Sequence, residues 1–384
     1  MIGEMNLATL LAKYLLALKG VLEQSGFFAL TYGNIIMLLV ALILLYLAIA
    51  KDFEPLLLMP IAFGCVLVNL PLSGIVDPGG FLYFVKFGID HELYPVIIFM
   101  GIGAMTDFGP LLANPITFLL GAAAQLGVFV AVIGAMAMGF TIQEAAGIGI
   151  IGGADGPTAI YLCAKLAKHI LPAVAVAAYS YMSLVPLIQP PVIRLFTSKK
   201  DRGIKMEQLR TVSRTEKILF PIICTIACGL ILPASVPLIG MLMFGNLLRE
   251  SGVTNRLSSA AQNEIMNATT IFLSISVGAT MRADTFLTTA TIKIVCLGLV
   301  AFAASTIGGC LLGQVLKICT GGKINPVIGA AGVSAVPMAA RVCQKVVSKE
   351  YPGSFVLMHA MGPNVSGVIG TAVAAGAMLT LLTK

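Results

Sequence analysis

The stretch Gly149-Ile-Ile-Gly-Gly-Ala-Asp155-Gly-Pro157-Thr-Ala-Ile-Tyr161 decides the fold, because it lies inside a long apolar segment yet cannot form an undisturbed helix. Proline has no N–H to donate, and its ring clashes with the carbonyl four residues earlier. The neighbouring glycines allow backbone conformations that other residues avoid. We therefore predict a helix break near Asp155, with free carbonyl groups on one side and free N–H groups on the other.

Asp155 is the residue of this stretch that points to chemistry. A charged side chain at the centre of a bilayer costs about 2.5–3.5 kcal/mol on insertion scales, so such residues usually mark an ion or proton path. The alternative is that Asp155 only caps the half-helix that follows it, by accepting hydrogen bonds from the first N–H groups. We favour a functional carboxylate, with Gly153 beside it as a lining residue.

Outside this stretch the chain is apolar over most of its 384 residues: 58% are hydrophobic and 11% are charged. Soluble domains usually carry about 25% charged residues, so this chain cannot cover a water-exposed surface. Apolar segments follow one another with short breaks, and several are shorter than the ~20 residues that an upright span needs. We predict an all-α polytopic membrane protein with broken or re-entrant helices. A cytosolic enzyme and a secreted disulfide-rich protein are excluded.

Positive charge is concentrated in one loop. The net charge is +7, and no Lys or Arg lies between Lys86 and Lys165, whereas eight lie from Arg194 to Lys217. Clustered cations in a short loop mark the cytoplasmic side of a membrane. We interpret this basic loop (194–217) as a cytoplasmic docking surface for soluble partners, not as a nucleic-acid site. The setting we expect is a bacterial inner membrane.

The chain also resembles itself at a nearly constant offset. Residues 149–165 can be laid over 329–345 at an offset of 180 without a gap, and Asn69 matches Asn246 at 177. Secondary transporters are often built from two such units, with broken helices meeting near the midplane. Whether the units are inverted stays open, because the short segments leave the number of crossings undecided. The divisions we predict are an N-terminal amphipathic helix (1–33), repeat 1 (34–193), the basic loop (194–217) and repeat 2 (218–384).

The second repeat keeps the glycine and proline frame but not the carboxylate. Asn325-Pro-Val-Ile-Gly329-Ala-Ala-Gly332-Val-Ser334 offers an amide oxygen, backbone carbonyls and a hydroxyl, while Ala335 stands opposite Asp155. Na+ is a hard cation that selects oxygen ligands. One carboxylate with neutral oxygens therefore indicates a monovalent cation site. The alternative for Asn325 and Ser334 is helix capping and interhelical hydrogen bonding.

Two further groups of residues are candidates. Met361-Gly-Pro-Asn364-Val-Ser366-Gly predicts a third break, which either lines the same cavity or only kinks a packed helix. Tyr179 and Tyr181 lie in an otherwise apolar span, where packing is the default and a phenol on the transport path is the alternative. The lysine of Ile204-Lys205-Met206 only faintly resembles a biotin-attachment site, so we expect no biotin bound covalently to this chain.

The runs 150–161, 325–334 and 359–370 together closely resemble the β subunits of the biotin-dependent sodium-pumping decarboxylases. These serve oxaloacetate, methylmalonyl-CoA, glutaconyl-CoA and malonate decarboxylases, and the resemblance covers about residues 30 to 384. It implies an elevator-like fold with a scaffold and a core. It also implies that the chain decarboxylates carboxybiotin and exports Na+ while a proton is consumed.

The resemblance further implies residues and partners. The family's motif aspartate matches Asp155, its Na+-linked residues match Asn325, Gly329 and Ser334, and its tyrosine matches Tyr181, with Tyr179 close by. The implied partners are a soluble carboxyltransferase α subunit, a biotin carrier subunit, a small γ or δ membrane subunit and further β copies. A stand-alone Na+-coupled carboxylate transporter on the same scaffold is the alternative function.

Overall fold

A computed structural model describes residues 7–23 and 25–383, and every regular element in these ranges is helical, as the composition predicts. The first half contains α1 Leu7–Glu23, α2 Tyr32–Ala50, α3 Pro55–Val68, α4 Phe81–Asp90, α5 Leu93–Met105, α6 Gly109–Ala113, α7 Phe118–Ala124, α8 Leu126–Ala137, α9 Ile142–Gly149, α10 Gly156–Leu166 and α11 Leu171–Phe196. The second half contains α12 Lys199–Arg202, α13 Arg214–Ile231, α14 Val236–Glu250, α15 Asn255–Ala260, α16 Met266–Ala279, α17 Ala283–Phe286, α18 Thr289–Cys319, α19 Met338–Glu350 and α20 Leu357–Leu382.

Four helical segments within the described ranges are long and apolar enough to cross a membrane: Tyr32–Ala50, Pro115–Ala137, Thr289–Cys319 and Leu357–Leu382. A fifth span forms if the bent pair Lys168–Met182 and Leu184–Phe196, which meet at 64°, is counted as one. Pro186 lies just after this bend and cannot donate to the carbonyl of Met182. Together with the shorter apolar helices α3 and α5, these segments establish a helical membrane protein.

Two helix pairs join the halves of the chain in a reciprocal way. Helix α3 packs on α16, and α5 packs on α14. The Asn69 side-chain amide donates to the Met281 carbonyl at 2.8 Å, and that of Asn246 donates to the Thr106 carbonyl at 2.9 Å. A Cβ on Gly103 would lie 1.8 Å from the Leu242 carbonyl oxygen, so the second pair can approach this closely only because position 103 is glycine.

The prediction of a third helix break, at residues 361–367, is wrong. Helix α20 runs continuously through Pro363, and the buried side of this helix packs on the core. An interior proline costs about 3 kcal/mol, which tight packing on both sides can offset. Met361 and Val368 line the cavity described below, whereas the two lining residues expected from this segment, Asn364 and Ser366, do not.

The basic loop is more ordered than the sequence predicts. Arg194 belongs to the end of α11, and Arg214 and Lys217 belong to the first turn of α13, so the non-helical stretches are 197–198 and 203–213. Ser198 and Ser213 form capping boxes that begin α12 and α13 inside the predicted loop. In the N-terminal division, Leu7–Glu23 is helical as predicted, while residues 1–6 of that prediction lie outside the described residues.

Candidate functional site

The predicted break at Asp155 is confirmed. Helix α9 ends at Gly149, residues 150–153 form a 3-10 turn, and Ala154 adopts a left-handed conformation with φ of 56°. Asp155 then caps α10, because its Oδ1 accepts a hydrogen bond from the Thr158 N–H at 3.1 Å. The capping alternative is thus correct for one carboxylate oxygen and leaves the other available.

The second oxygen of Asp155 is the unusual feature of this break. Oδ2 is buried and has no hydrogen-bond partner in the structure, and the whole residue is only 5% exposed. A buried charged oxygen without a partner is costly, so a cation there would be stabilised. A cavity of about 350 Å3 opens beside it, lined also by Thr106 of α5, Ser334 and Met361.

The other acidic residues between Lys86 and Lys165 all have ion-pair partners. Their pairs are Glu92–Lys165 at 2.7 Å, Asp90–Lys168 at 3.1 Å, Asp107–Lys217 at 3.2 Å and Glu144–His169 at 2.7 Å. Asp155 has none within the described ranges, which also contain no cluster of three His, Cys, Asp or Glu side chains able to hold a metal. One carboxylate with neutral oxygens is the kind of ligand set that a hard monovalent cation takes.

Ser334 of the second half of the chain lies directly against the first break. Its N–H donates to the Gly153 carbonyl at 2.9 Å, and its hydroxyl lies 2.7 Å from the Thr371 hydroxyl. Gly153 itself is held close to α20, because a Cβ there would lie 2.8 Å from the Thr371 side chain. The structure therefore brings Asp155, Gly153 and Ser334 together, as the sequence predicts.

Asn325 lies at the other end of the second break (residues 325–337). Its Oδ1 caps the 3-10 helix Pro326–Gly332, and its amide donates to the Ile204 carbonyl at 3.0 Å and the Arg202 carbonyl at 3.3 Å. Seven 3-10 residues at a rise of about 2.0 Å put roughly 14 Å between Asn325 and Ser334. The structure therefore does not bring Asn325 to Asp155, and the amide instead fastens the basic loop.

Gly329 is explained by close packing. A Cβ at this position would lie 1.9 Å from the Gly309 carbonyl oxygen, and the reverse contact is equally short at 2.0 Å. The 3-10 helix can therefore touch α18 backbone to backbone. No larger residue fits at either position unless the two elements separate.

Helix α20 holds the second break in place. The Asn364 amide donates to the Ala331 carbonyl at 3.0 Å and the Val333 carbonyl at 2.7 Å, while its Oδ1 has no partner in the structure. Ser366 donates within its own helix to the Pro363 carbonyl at 2.9 Å. Neither residue lines the cavity beside Asp155, so their contribution is to position the break.

The two candidate tyrosines face different surroundings. The Tyr179 ring packs on Gly156, where a Cβ would lie 2.2 Å from it, and it is therefore next to the first break. Tyr181 packs against Gly298 and donates from its hydroxyl to the Val295 carbonyl of α18. Residues two apart on a helix point in nearly opposite directions, so only one of the two can approach Asp155.

Two polar residues of this region were missed by the sequence analysis. Gln125, between α7 and α8, donates to the Gly367 carbonyl at 3.3 Å, and its Oε1 lies 3.4 Å from the Thr371 hydroxyl. Ser305 of α18 donates to the Gly152 carbonyl at 2.5 Å. Uncharged polar residues in apolar spans were the available signal, but their partners are far away in the sequence.

Comparisons with known proteins show the family of this chain. A family described as "Na+-transporting oxaloacetate decarboxylase beta subunit" matches residues 33–382. Glutaconyl-CoA decarboxylase subunit beta of Acidaminococcus fermentans is 62% identical over 369 residues, which cover 96% of this chain and 98% of the relative. Methylmalonyl-CoA decarboxylase subunit beta of Veillonella parvula is 62% identical over 371 residues, covering 97% and 99%.

Oxaloacetate decarboxylase beta chain 2 of Salmonella typhi is 51% identical over an alignment of 425 residues, with 94% of this chain and 98% of the relative covered. The relatives thus match this chain along nearly its whole length, including both breaks and α20. This favours a decarboxylase subunit over the stand-alone transporter. The chain belongs to the family of Na+-transporting decarboxylase β subunits, the membrane components of biotin-dependent decarboxylases.

Proposed function

We propose that this chain decarboxylates carboxybiotin and uses the reaction to export Na+, with Asp155 as the group that exchanges Na+ for a proton. Carboxybiotin loses CO2 when the C–N bond to its carboxyl group breaks, and the ring nitrogen then takes up a proton. Na+ binding at Oδ2 of a protonated Asp155 would release the proton that this nitrogen needs. The partnerless Oδ2 facing a cavity is the observation that supports the proposal.

The ligands that we assign to Na+ fall into two places. Asp155 and Ser334 supply a carboxylate and a hydroxyl at the first break. Asn325 before the 3-10 helix and Gly329 in its middle supply an amide oxygen and a backbone carbonyl along the ion path. Tyr181 stays assigned to catalysis from the family resemblance, and Tyr179 is the alternative because it packs beside the first break.

The energy that one decarboxylation supplies is compatible with the electrical cost of exporting Na+. Moving one positive charge outward against 100 mV costs about 2.3 kcal/mol. A single decarboxylation can drive one or two such steps if the carboxylate is never left charged and empty during the crossing. Alternation between a Na+-bound and a protonated Asp155 meets this condition, since both forms are neutral overall. Where the proton returns inward on the same carboxylate, only Na+ exported in excess of it moves net charge and carries this electrical cost.

We further propose two inverted repeats that move as a core against a scaffold, in the manner of an elevator. The reciprocal contacts support this arrangement. Asn69 matches Asn246, which makes α3 and α14 equivalent, and Gly103-Ala104 matches Gly278-Ala279, which makes α5 and α16 equivalent. Helix α3 packs on α16 and α5 packs on α14, so each contact joins the two repeats. The repeat bounds remain those predicted from the sequence, 34–193 and 218–384. The basic loop would then lie on the cytoplasmic side of a bacterial inner membrane.

The assembly that we propose contains a soluble carboxyltransferase α subunit, a biotin carrier, a small γ or δ membrane subunit and further β copies. The biotin belongs to the carrier and not to this chain. The 62% identity to the glutaconyl-CoA and methylmalonyl-CoA relatives, against 51% to an oxaloacetate relative, favours an acyl-CoA as the substrate of the α subunit.

The test is the decarboxylation of free carboxybiotin by the purified complex, with and without Na+. Asp155→Asn keeps the cap on α10 but cannot exchange a proton, so we expect Na+-stimulated decarboxylation to fall by about 10²-fold or more. Asp284→Asn, at an exposed aspartate with 66% of its side chain accessible, is the matched control and should behave as wild type. Near-normal Na+ stimulation in Asp155→Asn would refute the proposal.

A further inference from the structure

A large cavity lies away from Asp155. It measures about 840 Å3 and is formed by α4, the end of α16 and the turn at residues 168–170 that leads into α11. The basic loop begins at the opposite end of α11. If that loop marks one membrane surface, this cavity lies towards the other.

The cavity carries an excess of positive charge. Its lining includes Lys86, Lys168 and Arg282, and a single acidic residue, Asp90, which pairs with Lys168 at 3.1 Å. Arg282 has only an exposed contact with Asp284 at 3.3 Å, and half-buried Lys86 has no ion-pair partner in the described part of the chain. Among the described residues of this lining, Lys86 is therefore the cation that lacks a partner, and Arg282, held only by a solvent-exposed pair, can contact a second anion on the cavity side.

The wall of the same cavity is aromatic and continues onto the outer surface of the protein. Helix α4 buries Leu82, while Phe84 and Phe87 are 64% and 58% exposed beside the cavity mouth. In a membrane protein, exposed aromatic side chains of this kind lie in the lipid or at its interface. A ligand bound here therefore meets cations on one side and hydrocarbon on the other.

We propose that this cavity binds the phosphate headgroup of an anionic phospholipid, with its acyl chains lying along the exposed aromatic face of α4. Lys86 supplies the unpaired positive charge, and the exposed Arg282 guanidinium can donate to the phosphate oxygens in addition to its contact with Asp284. A free phosphate would satisfy the cations but would leave the aromatic face uncovered. The bound lipid would contact both α4 and the turn that follows α10, the half-helix that begins at Asp155.

The experiment measures the binding of fluorescent phosphatidylglycerol to the delipidated, detergent-purified complex. We expect Lys86→Gln and Arg282→Gln each to weaken binding about fivefold, and the double variant about 25-fold. Lys51→Gln, at an exposed lysine that follows α2, is the matched control and should leave binding unchanged. Size-exclusion elution of each variant shows that the complex has folded, which the exposed or half-buried position of both residues favours.

Two competitors separate the lipid from other sources of the same chemistry. Unlabelled phosphatidylglycerol should displace the fluorescent lipid, whereas phosphatidylcholine and inorganic phosphate at equal concentration should not. Displacement by phosphate would replace the proposal with a simple anion site. Equal displacement by phosphatidylcholine, or unchanged binding in the double variant, would overturn it.

Discussion

The two breaks share a glycine and proline frame but differ in what their polar groups can still do. At the first break, Asp155 uses one oxygen as a helix cap and leaves the other without a partner beside a cavity. At the second break, the Ser334 hydroxyl is bonded to Thr371, and Asn325 is bonded to its own helix and to the basic loop. The first break is therefore open to a cation, and the second is a fixed frame beside it.

The largest effect is expected when the carboxylate is moved from the first helix break to the second. In Asp155→Asn with Ser334→Asp, the new carboxylate faces the Thr371 hydroxyl and takes the place of a bonded group. We expect Na+-stimulated decarboxylation to stay about 10²-fold below wild type, as in the single Asp155→Asn variant. Recovery to more than a tenth of the wild-type rate would mean that the two breaks are interchangeable.

The next largest effect is expected where the second break touches α18. Gly329→Val would force a side chain into the space of the Gly309 carbonyl, and we expect a loss of about 3 kcal/mol of stability, the upper end for overpacking. The measurement is the temperature at which half of the purified complex aggregates. Gly20→Ala on α1, where a Cβ meets nothing within 4 Å, is the control and should not lower that temperature. An unchanged value for Gly329→Val would show that this frame is not rigid.

A third prediction concerns the attachment of the basic loop beside Asn325. Burial alone would raise the pKa of Asp201, but hydrogen bonds from Lys317, Gln314 and Ser198 outweigh this and hold the pKa below its ordinary value of 3.8. The ionised form is thus favoured in the folded protein. Its contribution to stability is present above pH ~4 and is lost as the pH falls further, through the lowered pKa.

Asp201→Asn should therefore cost about 2 kcal/mol at pH 7, the range for hydrogen bonds to charged groups. The difference in stability between the variant and the wild type should become smaller below pH ~4. Thermal unfolding of both proteins across pH 3–7 measures this difference. Asp77→Asn, in the exposed loop before α4, serves as the control. A gap that is independent of pH would mean that the charge of Asp201 does not fasten the loop.

The smallest effect is expected at the contact between Ser334 and Thr371. Thr371→Val keeps the shape but removes one hydroxyl, so the Ser334 hydroxyl loses its partner at a cost of about 1 kcal/mol. Ser334→Ala should lower the stability of the Thr371→Val variant by less than it lowers the stability of the wild type. A double-mutant cycle measures this coupling. Additive effects of the two substitutions would show that this hydrogen bond does not hold the second break.

Much of the local structure could be predicted from the sequence. The break at Asp155, the start of α10 and the membrane-spanning segments follow from residues that are neighbours along the chain. Pro363 shows the limit of that approach, because the same composition that ends a helix near Pro157 is tolerated inside α20. The cost of an interior proline is a local quantity, whereas the packing that offsets it comes from other helices.

What the sequence determined by itself is the class of protein, the position of the first break and the one carboxylate within it, since hydropathy and backbone sterics act over a few residues. Only the tertiary structure decided that the Ser334 N–H bonds to the Gly153 carbonyl while Asn325 bonds to the basic loop, and that Tyr179 packs on Gly156 while Tyr181 packs between α18 and the 3-10 turn. The first two outcomes depend on hydrogen bonds between segments more than a hundred residues apart, and the third depends on how α11 packs on α10, so none of them follows from the local sequence.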